Sequence, residues 1–252
     1  MKLALKELAK KSDRPLTMWG ISSADGTRER VLSEFTNGKI ITLTDSPNTG
    51  NKKEFDRLLT HGNSFFHCGC WVDIEPDFLK KNPYSRHFQS GFDIIWECCT
   101  FQMYGNNRKE QMQYIAESLK PDGLVFLYEK LNTPLHEDFM RMEVLKTKFK
   151  ERYFNKKDII MKEKSILKTM HTECVTLDEL INEAKNIFRY GALIWNAGNF
   201  YEIVVTDSKK SLLSFINLLP AIFVPNEYRL IKKQVQFLFA NGKALKNYKY
   251  NV

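Results

Sequence analysis

A loop of small residues follows the first apolar run of the chain and has the composition of a ligand-binding segment. The loop reads Ser22-Ser23-Ala24-Asp25-Gly26 and comes directly after the apolar residues 16–21. Small side chains let a backbone approach a ligand closely, and a helix that begins after such a loop offers free N–H groups. The sequence therefore identifies this loop as a candidate binding segment, although an ordinary tight turn has a similar composition.

Asp45 ends the second apolar run and lies nineteen residues beyond Gly26, a separation of about one helix plus one strand. A carboxylate at the end of that strand can accept hydrogen bonds from both hydroxyls of a ribose. Because Ser46 and Pro47 follow, Asp45 has a second interpretation as the N-cap of the next helix. We predict the ribose contact, with Ser46 beside it.

Acidic residues also follow the third and fourth apolar runs. Asp73 and Ile74 end the third run, and Glu97 and Cys98 end the fourth. Each acidic residue has a structural alternative, because Asp73 could cap the turn that follows it and Glu97 could be a solvated side chain. We predict that both pairs lie beside the loop of small residues.

These loops are positioned by apolar runs that alternate with helix-like segments, a pattern typical of parallel β-α-β units with right-handed crossovers. Strands are predicted over residues 16–21, 39–43, 64–74, 92–96 and 124–128, and helices over residues 1–12, 28–35, 52–59 and 108–119. In an open parallel sheet, ligands bind outside the carboxyl ends of the strands. The sequence therefore predicts that the four loops share one edge of one sheet.

Residues 133–188 have a different pattern, because they are charged and helix-prone and no strand stands out. Within them, residues 141–168 hold ten Lys and Arg against four Asp and Glu. Thr176 and Glu179 have the spacing of a capping box at the start of a helix. We predict a basic helical segment between the fifth strand and the sixth.

The end of the chain is predicted to close the sheet and then continue as a helix. Residues 189–195 and 200–206 are two strand-like runs joined by a four-residue turn, which predicts an antiparallel hairpin at a sheet edge. Residues 208–252 are basic and are predicted to be a helical extension.

Residues 18–27 resemble the first motif of class I S-adenosylmethionine-dependent methyltransferases, in which an apolar strand leads to an acidic residue and then Gly-x-Gly-x-Gly. The match is partial. Gly20 stands where the acidic residue is usual, Ser22 and Ala24 replace the first two glycines, and Gly26 is retained. Since Gly20 cannot hold the methionine amino group by charge, the resemblance implies that Glu97 or nearby backbone carbonyls take that role.

The order of the remaining motifs is similar to that of the same family over residues 10–206. Asp45 matches the ribose-binding acidic residue, Asp73 and Ile74 match the pair near the adenine, and residues 92–95 match the fourth-strand motif. Leu-Lys-Pro-Asp-Gly at residues 119–123 is similar to the turn into strand five. The final hairpin is similar to the family's reversed seventh strand.

The resemblance implies an α/β fold, a Rossmann-like doubly wound sheet of seven strands that is parallel except for its last strand. One methyltransferase domain would span residues 1–252, with residues 133–188 as a helical lid over the substrate and residues 208–252 as the extension. The cofactor would be S-adenosylmethionine, leaving as S-adenosylhomocysteine. The implied cofactor-binding residues are Gly20, Ser22, Ser23, Asp25, Gly26, Asp45, Ser46, Asp73, Ile74, Glu97 and Cys98.

Methyl transfer requires mainly that the acceptor is aligned with the cofactor and that water is excluded. A hydroxyl acceptor gains from a general base, whereas a phosphoryl oxygen is already anionic. The candidate bases are Glu129, His136, Tyr104 and His87, and the candidate substrate-binding residues are Tyr104, Arg108, Trp195 and Tyr201. We predict O-methylation of a small anionic acceptor, with N-methylation second. The resemblance extends loosely to methyltransferases of bacterial surface-polysaccharide genes, including those of O-methyl phosphoramidate capsule decoration.

The composition is that of a globular protein, with 43% hydrophobic and 27% charged residues. Five cysteines are too few for a disulfide framework, and their spacing does not match a zinc site, so no metal is predicted. Residues 1–8 lack the apolar core of a signal peptide, and the apolar residues 211–224 are too short to cross a bilayer. We expect a cytoplasmic protein without a membrane partner.

Three other functions remain alternatives. The net charge of +8 permits a nucleic-acid or protein methyltransferase, but residues 97–100 lack the Asn/Asp-Pro-Pro-Tyr/Phe motif common in base-modifying members. The loss of the acidic residue at Gly20 raises the alternative of a non-catalytic cofactor-binding protein. A dinucleotide oxidoreductase is disfavoured because the first loop lacks Gly-x-Gly-x-x-Gly.

Overall fold

A nine-stranded mixed sheet with helices on both faces forms the centre of the computed structural model, which describes residues 1–81, 83–245 and 248–250. The strands are β1 Leu16–Gly20, β2 Ile40–Asp45, β3 Ser64–His67, β4 Phe92–Cys98, β5 Leu119–Lys130, β6 Tyr190–Ala197, β7 Phe200–Thr206, β8 Gln236–Ala240 and β9 Lys243–Ala244. The helices are α1 Lys2–Lys10, α2 Thr27–Phe35, α3 Thr49–Leu58, α4 Pro76–Lys81, α5 Ser85–Phe88, α6 Arg108–Ala116, α7 His136–Lys150, α8 Lys156–Lys162, α9 Lys168–Thr172, α10 Leu177–Ile187 and α11 Lys209–Ile216. Short 3-10 turns cover Trp71–Asp73, Phe101–Met103 and Asn226–Tyr228, and a π-helical turn covers Glu163–Leu167.

The strand order is β3-β2-β1-β4-β5-β7-β6-β8-β9. Strands β1 to β5 pair in parallel, whereas β7 is antiparallel to both of its neighbours, β5 and β6. The predicted α/β class and the reversed seventh strand are confirmed. The predicted number of seven strands is wrong, because β8 and β9 extend the sheet beyond β6, so the β6–β7 hairpin does not form the edge.

The two extra strands come from the C-terminal segment, whose described part is α-helical only over α11. Strand β8 docks beside β6 because Gly191 leaves room for an aromatic ring. A Cβ at Gly191 would lie 2.2 Å from Cε1 of Phe239. The prediction of a helical extension over residues 208–252 is therefore wrong for residues 236–244, while residues 246, 247, 251 and 252 lie outside the described residues.

Two apolar cores lie on opposite faces of the sheet. On one face, residues of α6 and α10 pack against alternate residues of the strands, and this core contains Trp19, Val125 and Tyr201. On the other face, residues of α1, α2 and α11 pack against the remaining alternate residues, including Met18 and Phe126. Because successive residues of a strand face opposite sides, neighbouring side chains at each strand end reach different faces.

Residues 133–188 form α7, α8, α9 and α10 with one π-helical turn. The predicted capping box at the start of α10 is confirmed. The backbone N–H of Glu179 donates to Oγ1 of Thr176 at 3.2 Å, and the backbone N–H of Thr176 donates to Oε2 of Glu179 at 2.7 Å. This reciprocal pair satisfies two helix-terminal donors, which fixes where α10 begins.

Candidate functional site

The loop after β1 turns tightly at the carboxyl edge of the sheet. Ser22 and Ala24 both adopt left-handed backbone conformations, with φ of 45° and 50°. Gly26 is also left-handed, and a Cβ there would lie 2.9 Å from both Phe55 and Oγ1 of Thr44. Glycine is therefore required at residue 26, where a side chain would be strained and would collide with β2 and α3, while Ser22 and Ala24 hold a backbone conformation that favours glycine.

Asp45 lies at the carboxyl end of β2, fully buried, and its carboxylate is held by protein donors. The indole Nε1 of Trp19 donates to Oδ1 at 2.8 Å, and the backbone N–H of Ser22 lies 3.1 Å from both oxygens. The hydroxyl of Ser22 donates to Oδ2 at 3.2 Å. Burial raises the pKa of Asp45 to about 7. The predicted position of Asp45 is correct, but a ribose would reach it only by replacing Ser22.

The space beside Gly20 is filled by a carboxylate from α2. A Cβ at Gly20 would lie 2.1 Å from Oε1 of Glu29, whose side chain is fully buried. Arg28 Nε donates to Oε1 of Glu29 at 2.7 Å, and the hydroxyl of Ser23 donates to Oε2 at 2.6 Å. Sequence reasoning missed Glu29, although the absence of a side chain at Gly20 was a signal that another residue occupies that space.

Arg28 also connects this loop to the end of β4. Its guanidinium lies 4.0 Å from the ring centroid of Trp96. A hydrogen bond from Cys99 and the positive charge of Arg28 outweigh burial and lower the pKa of the Cys98 thiol to about 6. The Cys98 thiol therefore lies near a fixed positive charge at the end of β4.

Two of the predicted cofactor residues serve local turns. Asp25 accepts hydrogen bonds from the backbone N–H and the hydroxyl of Thr27, at 3.1 and 2.8 Å, at the start of α2. The hydroxyl of Ser46 accepts a hydrogen bond from Nδ2 of Asn51 at 2.9 Å and is buried. Their polar atoms thus stabilise the loops around Asp45.

The predicted strand over residues 64–74 ends at His67, because the chain then forms a turn capped by Asp73. The carboxylate of Asp73 accepts the backbone N–H of Cys70 at 2.8 Å, and its side chain is exposed. Ile74 is fully buried in the core of the α6 face. Asp73 therefore caps the turn, as its structural alternative states. Its carboxylate is also exposed at the sheet edge.

Glu97 is buried under the turn that follows β4. Its Oε1 accepts backbone N–H groups from Thr100 and Phe101, the latter at 3.1 Å. Its Oε2 is buried without a hydrogen-bond partner among the described residues. Burial and the negative charge of Glu129 raise the pKa of Glu97 well above its usual value. The structural alternative of a solvated side chain is therefore wrong, because Glu97 is buried under the turn.

Glu129 was expected to be a base and Arg108 a substrate contact, but the structure pairs them with each other. Arg108 Nε donates to Oε1 of Glu129 at 2.8 Å, and Nη2 donates to Oε2 at 3.0 Å. Gln102 adds a third donor to Oε2 at 3.2 Å. Both charged side chains are 0–1% exposed. The pair is an internal support of the sheet edge, so neither prediction holds.

Tyr104 lies at the rim of this edge, with 48% of its surface exposed. Its hydroxyl is 3.5 Å from Sγ of Cys70. Burial and the contact with Cys70 raise the pKa of Tyr104 to about 12. The phenol therefore stays protonated at neutral pH and is placed to contact a ligand without acting as a base.

The remaining candidate bases and one wall residue lie elsewhere. His136 is exposed at the start of α7 and stacks on Phe139 at 6.4 Å between ring centroids. His87 packs on Phe65 in a helix before β4. Tyr201 is fully buried in the core of the α6 face, so the prediction that it lines a substrate pocket is wrong.

A charged cluster that the sequence did not reveal stands at the end of β5. Lys130 is fully buried, and its Nζ lies 3.0 Å from Oε2 of Glu143 and donates to Nε2 of His171. Burial and the charge of Lys146 lower the pKa of Lys130 to about 8. Lys130 follows Glu129 directly in β5, and strand alternation directs the two side chains to opposite faces of the sheet.

Two clefts meet at Glu143 and Lys146. One cleft of about 400 Å³ lies along α7 and α8 and is also lined by Lys148, Lys150 and His171. The other, of about 480 Å³, is mostly apolar and is lined by residues of α7, of the β6–β7 hairpin and of residues 223–228. Trp195 lines this second cleft and stacks on Tyr128, with 5.9 Å between the ring centroids.

Within the described residues, no group of three or more His, Cys, Asp or Glu side chains is arranged to hold a metal ion. All five cysteines are free thiols. The candidate site is therefore the carboxyl edge of the sheet, with the loop after β1, Asp45 and the end of β4 at one end and the two clefts at the other.

No family model matches this sequence, and no curated protein matches it. Among solved structures, the chain is similar to a SAM-dependent methyltransferase from Geobacter sulfurreducens in complex with S-adenosyl-L-homocysteine, at 13% identity and a TM-score of 0.44 over 75% of this chain and 63% of the other. It is similar to the cyclopropane synthase MmaA2 from Mycobacterium tuberculosis, at 12% identity and a TM-score of 0.47 over 74% and 59%. It is also similar to the mitomycin 7-O-methyltransferase MmcR, at 11% identity and a TM-score of 0.49 over 82% and 54%. The chain thus spans less than two thirds of these structures, and the identities are too low for any residue's role to follow from them.

Proposed function

We propose that this protein is an S-adenosylmethionine-dependent methyltransferase. The observation that carries the proposal is the strand order β3-β2-β1-β4-β5-β7-β6, in which β7 runs antiparallel between two strands that are parallel to each other. That arrangement supports the sequence resemblance independently of any single motif. It also gathers the loop after β1, Asp45 and the end of β4 at one edge, where open α/β sheets bind ligands.

The residues at this edge fit the cofactor in type and position. Asp45 would hold the ribose hydroxyls, and the exposed Asp73 would lie near the adenine. Two buried oxygens at the same edge lack hydrogen-bond partners among the described residues, Oγ1 of Thr44 and Oε2 of Glu97, and are available to a bound ligand. Binding requires Ser22 to release Asp45, since Ser22 now takes up both carboxylate oxygens. The other proposed cofactor contacts are Gly20, Ser23, Asp25, Gly26, Ser46, Ile74 and Cys98.

When bound, the cofactor supplies an electrophilic methyl group, and the protein aligns the acceptor and excludes water. Glu129 is locked by Arg108, and the pKa of Tyr104 is about 12, so neither is a general base at neutral pH. An acceptor oxygen that is already anionic needs no base. This favours O-methylation of a phosphate or similar anion over methylation of a neutral hydroxyl.

The cleft along α7 and α8 contains cations that would pair with an anionic acceptor, although Glu143, Glu151 and Glu163 line it as well. Lys146, Lys148, Lys150 and His171 line the cleft along α7 and α8, in the helical segment that we propose as the substrate lid. Lysine side chains bind phosphates and carboxylates as mobile point charges. Phosphorylated and nucleotide-linked sugars, the intermediates of surface-glycan synthesis, are therefore the first acceptors to test.

Isothermal titration with S-adenosylhomocysteine tests the proposal without knowledge of the acceptor. Micromolar binding is expected for the wild type, with a loss of at least ten-fold in Asp45→Ala, because the ribose hydroxyls lose charge-assisted hydrogen bonds. Asp77→Ala is the matched control, since Asp77 is an exposed carboxylate of α4 and should leave the affinity unchanged. Equal binding by the wild type and Asp45→Ala would contradict the assigned site.

One observation favours a second candidate, a methyltransferase-like protein without catalysis. Trp19 and Ser22 already donate hydrogen bonds to both carboxylate oxygens of Asp45, so side chains of the protein occupy the proposed cofactor site. Ser22→Gly removes the hydroxyl and suits the left-handed backbone at this position. Binding of S-adenosylhomocysteine that strengthens in Ser22→Gly supports a closed but functional site, whereas absence of binding in both proteins favours the non-catalytic candidate.

A further inference from the structure

The segment from Leu135 to Met161 exposes an unusual number of large apolar side chains. Eight of the eighteen large hydrophobic residues that are exposed in the described part of the chain lie in this one segment. They are Leu135, Met140, Val144, Phe149, Tyr153, Phe154, Ile160 and Met161, with exposed fractions from 40% to 68%. Scattered exposed apolar residues are normal, but a concentration of them in one segment indicates an interaction surface.

These exposed side chains are additional to those by which α7 packs on the protein. The inner side of α7 already packs against the protein through Phe139 and Met142, which are 5% and 2% exposed. Met140 and Val144 are one turn apart on a different side of the same helix and line the cleft along α7 and α8. Phe149 lines the other cleft. The segment therefore leaves apolar side chains uncovered on more than one side.

The same part of the chain also has an excess of positive charge. Residues 135–168 hold ten Lys and Arg against six Asp and Glu, an excess of four, while the whole chain has a net charge of +8. Lysines and arginines alternate with the apolar residues, so that Arg152 lies 5.8 Å from the ring centroid of Phe149. We call residues 135–168 the basic apolar surface.

We propose that the basic apolar surface binds the surface of membranes that contain anionic lipids. Lysines beside a membrane are attracted to anionic headgroups, and aromatic and aliphatic side chains between them enter the boundary of the acyl chains. Among the described residues, no helix is long and apolar enough to cross a bilayer. The predicted contact is therefore peripheral, and it replaces the expectation, drawn from the sequence, of no membrane partner.

Other occupants fit the surface less well. A second copy of the chain would place two surfaces of excess positive charge against each other in a symmetric dimer, which electrostatic repulsion opposes. Nucleic acid would match the lysines and the aromatic rings, but Met140, Val144, Ile160 and Met161 have no flat face on which bases stack. An anionic lipid surface accommodates the cationic, aromatic and aliphatic groups together.

Co-sedimentation with vesicles tests the proposal with the full chain. Vesicles of phosphatidylcholine mixed with phosphatidylglycerol are compared with vesicles of phosphatidylcholine alone, at low and high salt. We expect binding to the anionic vesicles, little binding to the neutral ones, and release by salt. The experiment requires neither cofactor nor acceptor, so its failure is independent of a failure of the proposed methyltransferase function.

Two variants, each with a matched control, separate charge from apolar insertion. Lys156→Glu with Lys157→Glu should weaken binding to anionic vesicles by roughly 30-fold or more. Lys209→Glu with Lys210→Glu changes the charge equally but lies after β7, whose reversed direction places its end at the opposite sheet edge. This control should retain binding.

Phe154→Ser with Met161→Ser should also weaken binding, because less apolar surface enters the lipid, whereas Leu3→Ser on α1 should not. All four variants change exposed residues, and circular dichroism verifies that they fold. Equal binding to neutral and anionic vesicles, or no binding to either, overturns the proposal. A second result also overturns the proposal. If the protein binds polyglutamate or single-stranded DNA as strongly as it binds vesicles, and Phe154→Ser with Met161→Ser leaves that binding unchanged, the partner is a soluble polyanion.

Discussion

At the scale of single residues, Asp45 combines complete burial with a set of hydrogen-bond donors from the protein itself. Burial destabilises the carboxylate more than Trp19 and Ser22 stabilise it, so its pKa rises to about 7. At a pH between the two pKa values, a carboxyl group whose pKa is raised by folding is protonated in the folded protein and ionised in the unfolded protein. Asp45 therefore contributes most to stability below pH 4, and the contribution is lost as the pH rises towards 7.

Asp45→Asn should remove this pH dependence. Relative to the wild type, the free energy of unfolding of Asp45→Asn should become more favourable by about 4 kcal/mol as the pH rises from 4 to 7. Urea denaturation at a series of pH values measures the difference, and the exposed Asp122→Asn should show none of it. A difference between Asp45→Asn and the wild type that does not vary with pH would show that the pKa of Asp45 is the same in the folded and unfolded protein.

The ion pair of Arg108 and Glu129 supports the site without contacting a ligand. Glu129→Gln would leave the buried guanidinium without its charge partner, so we expect a loss of about 3–5 kcal/mol in the free energy of unfolding. Arg108→Met combined with Glu129→Leu should recover most of that stability, because no unpaired charge remains. If Glu129→Gln instead retained full stability and lost only methyl-transfer activity, Glu129 would be a base after all.

At the scale of elements, the docking of β8 on β6 depends on the missing side chain at Gly191. Gly191→Ala should lower the free energy of unfolding by about 1–3 kcal/mol, because the methyl group would overlap the ring of Phe239. Phe239→Leu in the same chain should recover part of the loss, giving a non-additive double-mutant cycle. Strictly additive effects in urea denaturation would show that the two side chains do not meet.

The elements that the sequence predicted well are those specified by local pattern. Apolar runs bounded by turn residues located β1, β2 and β4, and the capping box located the start of α10. Strand β8 was missed because its pairing with β6 depends on a distant glycine rather than on its own sequence. The strand expected over residues 64–74 was too long, since Asp73 turns the chain by a hydrogen bond that periodicity does not reveal.

The candidate site was predictable in position but not in its hydrogen bonding. Topology alone places the end of β2 beside the loop after β1, which located Asp45 correctly. The partners of Asp45, the carboxylate of Glu29 beside Gly20 and the pair of Arg108 with Glu129 depend on which side chains meet in three dimensions. Strand alternation would have predicted that the side chains of Glu129 and Lys130 face opposite sides of the sheet.

At the scale of the whole molecule, the two ends of the carboxyl edge differ in how firmly they are packed. The loop after β1 is anchored to buried side chains of β2 and α3. Helices α7 and α8, by contrast, expose many of their apolar residues, and α8 has no buried residue at all. Segments with few buried contacts open at a lower free energy than the core, so amide exchange should be faster in residues 140–162 than in β1, β4 and β5.

Hydrogen exchange measured by mass spectrometry can therefore separate the two proposals in one experiment. S-adenosylhomocysteine should slow exchange in residues 20–27 and at the end of β2, because a ligand that binds the folded state stabilises the segments it contacts. Vesicles with phosphatidylglycerol should slow exchange in residues 140–162 and leave residues 20–27 unchanged. In Asp45→Ala the first effect should disappear while the second persists, and in Lys156→Glu with Lys157→Glu the reverse should hold. Protection of residues 140–162 by S-adenosylhomocysteine, with none from the vesicles, would instead show that the helical segment acts only as the proposed lid and does not bind membranes.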